Sequence, residues 1–242
     1  MIERGLAFLL MLCGFQLHAQ QIIDGHGALI RSDTTQNTIY LCFTGHEFID
    51  GFDHVLYVLD KHHIKASFFL TGDFVRQHKK MIQDWAASGH YIGAHSDRHL
   101  LYNAWENRDS LRYTKAEIKR DIENNLLELK KLNLDPTYFM PPYEWYNKEI
   151  VALATALGQT TVNFSPGTRS NADYTTPEMD NYMSSEDILN SIYSFEKEQG
   201  MNGFHLLIHP GTSDKRKDKL YHHLETLILH FKERGYAFAR FK

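Results

Sequence analysis

The sequence predicts one α/β domain whose largely parallel sheet closes into a barrel. Seven apolar, β-rich runs alternate with about six segments of helical period. Several of these runs are apolar on consecutive residues, which is typical of parallel strands that are covered on both faces. No internal repeat and no linker rich in proline, glycine or serine divides residues 21–242, so a single domain is expected.

The strand predictions follow from short apolar runs rich in β-branched and aromatic residues. In chain order they are Thr38–Phe43, Ala66–Leu70, Tyr91–Ala94, Tyr138–Met140, Thr161–Phe164, Phe204–Ile208 and Ala237–Phe241. The helix predictions follow from apolar residues that recur every three or four positions. They are Val55–His62, Phe74–Ser88, Thr114–Leu132, Lys148–Leu157, Ser185–Glu198 and Asp214–Glu233. Thr114 and Glu117 have the spacing of a capping box, and Ser185 is typical of a helix start.

The composition indicates a globular protein that buries a large core. Of the 242 residues, 43% are hydrophobic and 13% are aromatic, which excludes a disordered or low-complexity chain. The net charge is −4 and the basic residues form no long block, which argues against a nucleic-acid surface. The basic patch Lys215–Lys219 is short and opens the last predicted helix, so it is interpreted as a solvated helix face.

Residues 1–20 are typical of a secretory signal peptide, and residues 21–242 form the expected mature domain. Arg4 supplies a positive charge, and the apolar run Gly5–Phe15 is too short to span a bilayer comfortably. After cleavage no stable membrane insertion is expected, and Cys42 is the only cysteine left, which excludes an intramolecular disulfide. The sequence therefore predicts an exported protein, either periplasmic or secreted.

Polar residues follow five of the predicted strands, at the end where barrel enzymes carry their active sites. They lie in Thr44–Asp50, His95–His99, Pro141–Trp145, Thr168–Tyr174 and at His209. His95 and His99 are four residues apart, so a helical turn between them would place both imidazoles on one face, where they can bind one ion. The five strand ends together indicate a metal-dependent hydrolase.

The chain resembles the polysaccharide deacetylase family, the NodB-like enzymes of carbohydrate esterase family 4, over about residues 38–242. His95–His99 is similar to the family's H-S/T-x-x-H metal motif, and Pro141–Tyr143 is similar to its R-x-P-Y segment. Asp173-Tyr174 stands where the family has Asp-Trp, and Leu207–His209 matches the L-x-H segment. The resemblance implies a distorted (β/α)7–8 barrel that removes acetyl groups from N- or O-acetylated sugars with a divalent metal, commonly zinc.

Two departures from the family pattern concern the catalytic base. The family's first motif, T-F-D-D, supplies the base and then a metal-binding aspartate, but alignment puts Thr44 and Gly45 at those positions. The family arginine that supports the base is replaced by Met140. Because neither group is useful without the other, their joint loss indicates a divergent branch, in which His46 stands at a shifted carboxylate position.

The expected metal ligands are His46, His95 and His99. The resemblance implies the last two, and His46 is preferred from the neighbouring strand end because imidazole suits Zn²⁺ and three protein ligands leave a position open for water. Glu47 is the alternative third ligand. The expected cofactor is therefore a divalent metal, with zinc favoured by the ligand type.

The resemblance implies that water attacks an acetyl carbonyl and that the metal activates this water. His209 is then expected to protonate the leaving amine, and Asp173 is expected to orient the imidazole of His209. The backbone N–H of Tyr143 is the family-based donor to the developing oxyanion. Arg169 either replaces the missing family arginine or pairs with a loop carboxylate.

The catalytic base stays open among three carboxylates, Glu47, Asp50 and Glu144. Glu144 directly follows the Pro-Pro-Tyr segment and is expected at the pocket mouth, whereas Asp50 could instead cap the following helix. Aromatic residues near these strand ends fit a sugar-stacking cleft and aromatic packing over a barrel rim equally well. They are Tyr102, Trp105, Tyr143 and Trp145.

Three functions are consistent with these residues. The first is an exported, zinc-dependent deacetylase that acts on an acetylated oligo- or polysaccharide. The second is a non-catalytic carbohydrate-binding barrel, which the missing aspartate pair and arginine favour. The third is a metallo-amidohydrolase that acts on a non-sugar amide.

Overall fold

In the computed structural model, which describes residues 20–242, nine strands form one sheet. They are β1 (Ile22–Ile23), β2 (Leu29–Arg31), β3 (Thr38–Gly45), β4 (Ser67–Leu70), β5 (Tyr91–Ala94), β6 (Tyr138–Phe139), β7 (Thr160–Thr161), β8 (Phe204–Ile208) and β9 (Ala237–Ala239). All seven predicted strands are therefore present, although β7 covers Thr160–Thr161 rather than the predicted Thr161–Phe164. The sequence pattern does not predict β1 and β2, because strands of two and three residues are too short to show alternation.

Seven α-helices are described in the same part of the chain. They are α1 (Phe52–Lys61), α2 (Gly72–Gln77), α3 (Lys79–Ala87), α4 (Lys115–Lys130), α5 (Lys148–Thr155), α6 (Ser185–Gln199) and α7 (Leu224–Glu233). The predicted capping box is confirmed: the Thr114 side chain accepts from the N–H of Glu117, and the Glu117 carboxylate accepts from that of Thr114. Ser184 rather than Ser185 caps α6.

The sheet has the order β1-β2-β8-β3-β4-β5-β6-β7, and β9 pairs with the first half of β3. β1, β2 and β8 pair in antiparallel fashion, and every other strand pair is parallel within residues 20–242. An isolated parallel bridge joins Leu29 of β2 with Val162, directly after β7. This bridge brings the two ends of the sheet together, so the predicted distorted barrel is confirmed.

Consecutive side chains of β3 belong to two different apolar clusters. Leu41 and Phe43 pack in the larger cluster, which contains the buried faces of the helices. Cys42 belongs to the smaller cluster, to which each of the strands β2 to β8, or the residue just after it, contributes one side chain. Because successive side chains of a strand point to opposite faces, the smaller cluster is the barrel interior. It contains Leu29, Cys42, Phe69, Tyr91, Met140, Val162, Leu207 and Phe241.

Two helix predictions are wrong in their extent. The predicted helix Phe74–Ser88 is two helices, α2 and α3, which meet at His78, where the backbone leaves the helical region (φ −126°, ψ 33°). The last predicted helix starts only at Leu224, after a 3₁₀ turn at Leu220–His223. Residues 214–219 form a loop instead, since Arg216 points inward and is fully buried. The interpretation of Lys215–Lys219 as a solvated helix face is therefore wrong.

No helix within residues 20–242 is both long and apolar enough to cross a membrane. The predicted signal peptide, residues 1–20, lies outside the described residues apart from Gln20.

Candidate active site

A cavity of about 180 Å³ lies at the C-terminal ends of the parallel strands, where barrel enzymes carry their active sites. It collects residues from the ends of β3, β5, β6 and β8 and from the loop after β7. Seven of the predicted site residues line it: His46, Glu47, His95, His99, Tyr143, Glu144 and His209. Thr44, Phe48, Trp105, Tyr174 and Gly211 complete the lining.

His95 directly follows β5 and is held at both its backbone and its ring. Its N–H donates to Oδ1 of Asn125 on α4 at 2.8 Å, and its ring Nδ1 donates to the carbonyl of Met140 at 2.8 Å. Because a carbonyl only accepts, Nδ1 carries the proton and Nε2 keeps its lone pair. His95 thus offers one fixed, neutral nitrogen ligand, and Met140 contributes through its backbone.

The turn between His95 and His99 is not helical, which corrects the geometry expected from the spacing. Ser96 and His99 both have left-handed backbones, with φ of 71° and 52°. The Ser96 hydroxyl accepts the N–H of His99 at 3.1 Å and stabilises this turn. The rings of His95 and His99 nevertheless lie close, with centroids 5.0 Å apart.

Asp97 anchors this turn from behind rather than facing the cavity. Its carboxylate accepts from Arg76 of α2 at 2.7 Å. Gly72 at the start of α2 allows this approach, since a Cβ there would lie 1.9 Å from Oδ1 of Asp97. The histidine turn is therefore fixed to α2 by a partly buried ion pair.

His46 comes from the end of β3, after Thr44 and Gly45. Gly45 permits close packing of β3 on β4, because a Cβ there would lie 2.7 Å from Leu70. The ring of His46 stacks on that of His99, with centroids 4.2 Å apart and an angle of 19° between the planes. The three predicted ligand histidines therefore meet at one wall of the cavity, whereas Glu47 is exposed at its rim.

His209 directly follows β8, the strand that pairs with β3, and it forms a tight pair with Asp173. Asp173 is buried, and its carboxylate accepts from the backbone N–H of His209 at 2.8 Å and from ring Nδ1 at 2.6 Å. Burial alone would lower the pKa of His209, but the charge and the hydrogen bond of Asp173, together with the charge of Glu144, outweigh it and raise the pKa to about 8. The predicted role of Asp173 in orienting this imidazole agrees with the geometry.

Burial also raises the pKa of Glu144, to about 7, and the nearby His209 partly offsets this shift. Tyr143 and Glu144 both have left-handed backbones, with φ of 60° and 52°. The side-chain amide of Asn163 donates to the carbonyl of Glu144 at 3.3 Å. Two adjacent non-glycine residues in this region are strained, which is a frequent feature of functional sites.

Four predicted site residues lie outside the cavity lining: Asp50, Trp145, Arg169 and Asp173. Asp173 contacts His209 as expected, whereas the expected places of the other three are wrong. Asp50 accepts from the N–H of Thr212 at 3.1 Å and from the hydroxyl of Tyr221 at 2.9 Å, so it ties two loops together. The indole of Trp145 donates to a backbone carbonyl, and a guanidinium stacks 3.6 Å from its ring. Arg169 is exposed on its loop.

Four exposed aromatic side chains surround the cavity mouth, and the sequence predicts two of them, Trp105 and Tyr143, in an aromatic cluster. Phe48, Trp105, Tyr143 and Tyr174 are 39%, 52%, 42% and 46% exposed. Tyr102, by contrast, is fully buried and donates to Asp121. Clustered exposed aromatic rings indicate a binding surface. Phe48 was missed because its loop shows no pattern that separates a rim residue from a core residue.

The three histidines fit a metal ion by their chemistry. Burial lowers the pKa of His46, and burial with mutual repulsion lowers those of His99 and of His95, the latter to about 3, so all three offer neutral nitrogens. The buried Nδ1 of His46 has no hydrogen-bond partner within residues 20–242. The rings are stacked rather than converged, and in this part of the chain no three His, Cys, Asp or Glu side chains form a preassembled cage.

Known proteins match this chain in sequence and in fold. The sequence profile of the polysaccharide deacetylase family matches residues 31–162. The uncharacterized protein YlxY of Bacillus subtilis is 27% identical over 194 residues, which are 80% of this chain and 51% of that protein. The peptidoglycan-N-acetylmuramic acid deacetylase PdaA of Bacillus subtilis is 31% identical over 156 residues, which are 63% of this chain and 55% of that protein. The chain thus spans about half the length of these curated relatives.

Among solved structures, BA3943 of Bacillus anthracis has the same fold. It is described as a CE4 family pseudoenzyme, and it matches with a TM-score of 0.71 at 19% identity over 89% of this chain and 67% of that chain. A mutant of BA3943 is described as having restored enzymatic activity. The family profile covers more than half of the residues. The chain belongs to the polysaccharide deacetylase family.

Proposed function

We propose that the protein is an exported, metal-dependent hydrolase that removes acetyl groups from an N- or O-acetylated carbohydrate. The observation that carries this proposal is one cavity lined by three neutral imidazoles and by His209, whose imidazolium is paired with Asp173. Such an arrangement separates the group that activates water from the group that protonates the leaving atom.

His46, His95 and His99 would hold the divalent metal, with zinc favoured by an all-imidazole donor set. When bound, the ion supplies a Lewis acid that polarises the acetyl carbonyl and lowers the pKa of water. Every other step belongs to side chains and backbone groups of this chain.

His209 is the proposed general acid. Its Nδ1 is engaged by Asp173, so the proton that leaves the ring is that of Nε2. A pKa of about 8 keeps the imidazolium populated at neutral pH. The proton passes to the amine nitrogen, or to the alkoxide oxygen of an ester, as the bond to the acetyl carbon breaks.

Glu144 is the proposed base among the three carboxylates that the sequence left open. Glu47 is exposed at the rim and Asp50 is engaged by two loops, whereas Glu144 is a partly buried carboxylate in the cavity wall. With a pKa of about 7 it is substantially ionised at neutral pH and accepts a proton from the attacking water. It would thus replace the base that Thr44 cannot provide.

The substrate is proposed to be an acetylated oligo- or polysaccharide. The four exposed aromatic rings at the cavity mouth support this, because flat apolar rings stack on the faces of sugars. The name of PdaA, a peptidoglycan-N-acetylmuramic acid deacetylase, adds acetylated peptidoglycan to the substrates that should be tested.

A second candidate function is a catalytically inactive carbohydrate-binding barrel. It is favoured by Thr44 and Met140 at the positions of the family base and its arginine, and by the likeness to a pseudoenzyme. A metallo-amidohydrolase for a non-sugar amide has no such specific observation in its favour.

Acetate release from acetylated oligosaccharides and peptidoglycan fragments by the zinc-loaded protein tests the proposal. Glu144→Gln and His209→Gln should each lower kcat by roughly 10²- to 10⁴-fold, and a chelator should abolish activity. His222→Asn, at an exposed imidazole outside the cavity, is the matched control and should keep full activity. Glycan binding without any acetate release would support the inactive barrel, and release only from acyl amides would support the amidohydrolase.

A further inference from the structure

Arg216 is the largest fully buried side chain within residues 20–242, yet it carries a permanent charge. It lies in the loop that follows β8, seven residues after His209. Its Nη1 donates to the carbonyls of Thr175 at 2.8 Å and of Met183 at 3.0 Å. One nitrogen of the guanidinium thus joins two points of the segment between β7 and α6.

The second nitrogen completes this clamp. Nη2 of Arg216 donates to the hydroxyl of Ser185 at 3.3 Å and lies 3.6 Å from the carboxylate of Asp218. Asp218 in turn accepts the N–H of Ser185 at 2.5 Å. Residues 176–182 therefore form a loop, and the residues on either side of it, Thr175 and Met183, are both held by the guanidinium of Arg216.

Thr175, which Arg216 binds, directly follows the short turn that orients the proposed general acid. The 3₁₀ turn Ser170–Tyr174 ends at Thr175, and Asp173 of this turn binds both the backbone and the ring of His209. Both ends of the loop from His209 to Arg216 therefore contact residues 173–175: His209 binds Asp173, and Arg216 binds Thr175. Asp173 and Arg216 close a ring of contacts around Thr175.

The planar guanidinium group of Arg216 is well suited to making these hydrogen bonds. Its donors lie in one plane at fixed angles, so it can hold two carbonyls and a hydroxyl at once, which an ammonium on a flexible stem does less well. A buried charge is costly, and one partly exposed carboxylate at 3.6 Å compensates it only in part. A buried charge at this cost indicates that the hydrogen bonds of Arg216 have a specific structural role at this position.

We propose that Arg216 is a positioning residue for the reaction: it fixes Thr175 and thereby holds Asp173 and Tyr174 in place against His209. This inference rests on the proposed function for its catalytic consequence, since His209 is the acid only in that proposal. The mechanical link between Arg216 and the His209–Asp173 pair does not depend on any activity.

The test compares Arg216→Gln and Arg216→Lys with Lys217→Gln, an exposed neighbour on the same loop. The first measurement is an NMR titration of the His209 ring in metal-free protein, with the resonance assigned by its loss in His209→Gln. In both Arg216 variants the midpoint should fall by at least about one pH unit, because Asp173 no longer sits against the ring. Glu144, His95 and His99 also face His209 and are the same in all of these proteins.

The second measurement is a double-mutant cycle on kcat with Asp173→Asn. Arg216→Gln should lower kcat by about 10- to 100-fold with little change in KM. Adding it to Asp173→Asn should lower kcat little further, because both substitutions act through one group.

Additive losses in kcat, or an unchanged His209 midpoint in folded Arg216→Gln, would overturn the proposal. If neither Arg216 variant folds, the residue serves stability alone and the positioning role is wrong. If the wild-type protein releases no acetate, but the His209 midpoint still falls in the Arg216 variants, the proposed function is wrong and the link between Arg216 and His209 stands.

Discussion

Imidazoles in two opposite electrostatic states line the same cavity. His95, fully buried and bonded to a carbonyl, stays neutral, whereas His209, bonded to the carboxylate of Asp173, stays protonated up to about pH 8. The residue type is the same, and the single partner of Nδ1 separates their chemistry. The sequence shows both histidines, and the family resemblance implies Asp173 as the partner of His209, but neither indicates the Met140 carbonyl that binds His95 from a distant part of the chain.

Asp173→Asn should move the alkaline limit of activity to lower pH. The carboxylate raises the pKa of His209 from 6.5 to about 8, and a general acid works only while protonated. If the pKa returned to 6.5, the protonated fraction at pH 8 would fall about 15-fold, and kcat should fall with it. A pH profile of kcat checks this. An alkaline limit that stays near pH 8 in the variant would remove His209 from the role of acid.

His46→Ala should weaken zinc binding by at least about 100-fold, because it removes one of three ligands. Isothermal titration of metal-free protein with Zn²⁺ measures this, with His63→Asn, an exposed histidine on another loop, as the control. Unchanged affinity in His46→Ala together with weakened binding in Glu47→Ala would instead assign Glu47 as the third ligand.

At the scale of elements, helix and strand interiors follow local patterns, and the loops that build the site do not. The spacing of His95 and His99 suggests a helical turn, but Ser96 and His99 take left-handed backbones that the Ser96 hydroxyl supports. Likewise, residues 214–219 have helical character in the sequence but form a loop, because Arg216 binds carbonyls across a gap of more than 30 residues. A side-chain hydrogen bond within the turn supports the first departure from helical geometry, and long-range hydrogen bonds overrule local propensity at the second place.

Gly211→Ala should destabilise the contact between the two loops that follow β3 and β8. An added Cβ would lie 2.0 Å from the carbonyl oxygen of Phe48, so the loop that carries His46 and Phe48 must move. We expect a loss of about 1–3 kcal/mol in the free energy of unfolding and a fall in activity, measured by denaturant titration and by acetate release. Gly25→Ala is the matched control, since open space surrounds its Cβ position. Equal stability of the two variants would contradict this packing.

At the scale of the molecule, the barrel interior is apolar near the middle and polar where β8 begins. His205 is fully buried there, between the carbonyl of Asn163 at 2.8 Å and the hydroxyl of Ser32 at 2.9 Å. Burial lowers its pKa to about 4, and burial likewise lowers that of His90 to about 4. Both rings are therefore neutral in the folded protein and readily protonated once the chain unfolds.

This predicts acid lability of the metal-free protein. A histidine whose folded pKa is below its unfolded value binds fewer protons when folded, so its contribution to stability is present above about pH 6.5 and is lost as the pH falls toward 4. At pH 5 each of these two rings should lower the free energy of unfolding by about 2 kcal/mol relative to neutral pH. Denaturant titrations at pH 7.5 and pH 5 measure the loss. His205→Gln should reduce that loss by about 2 kcal/mol, and the exposed control His63→Asn should leave it unchanged.

The sequence alone determined the strand and helix interiors, because apolar periodicity depends only on neighbouring residues, and it placed His46, His95, His99, Glu144 and His209 at the strand ends. Tertiary structure alone decided how these side chains work. Asn125 and the Met140 carbonyl orient His95, Asp173 charges His209, and the ties of Asp50 to Thr212 and Tyr221 remove it from the cavity. Each of these contacts joins residues more than 25 positions apart, and such pairings arise only when the barrel brings strand ends together.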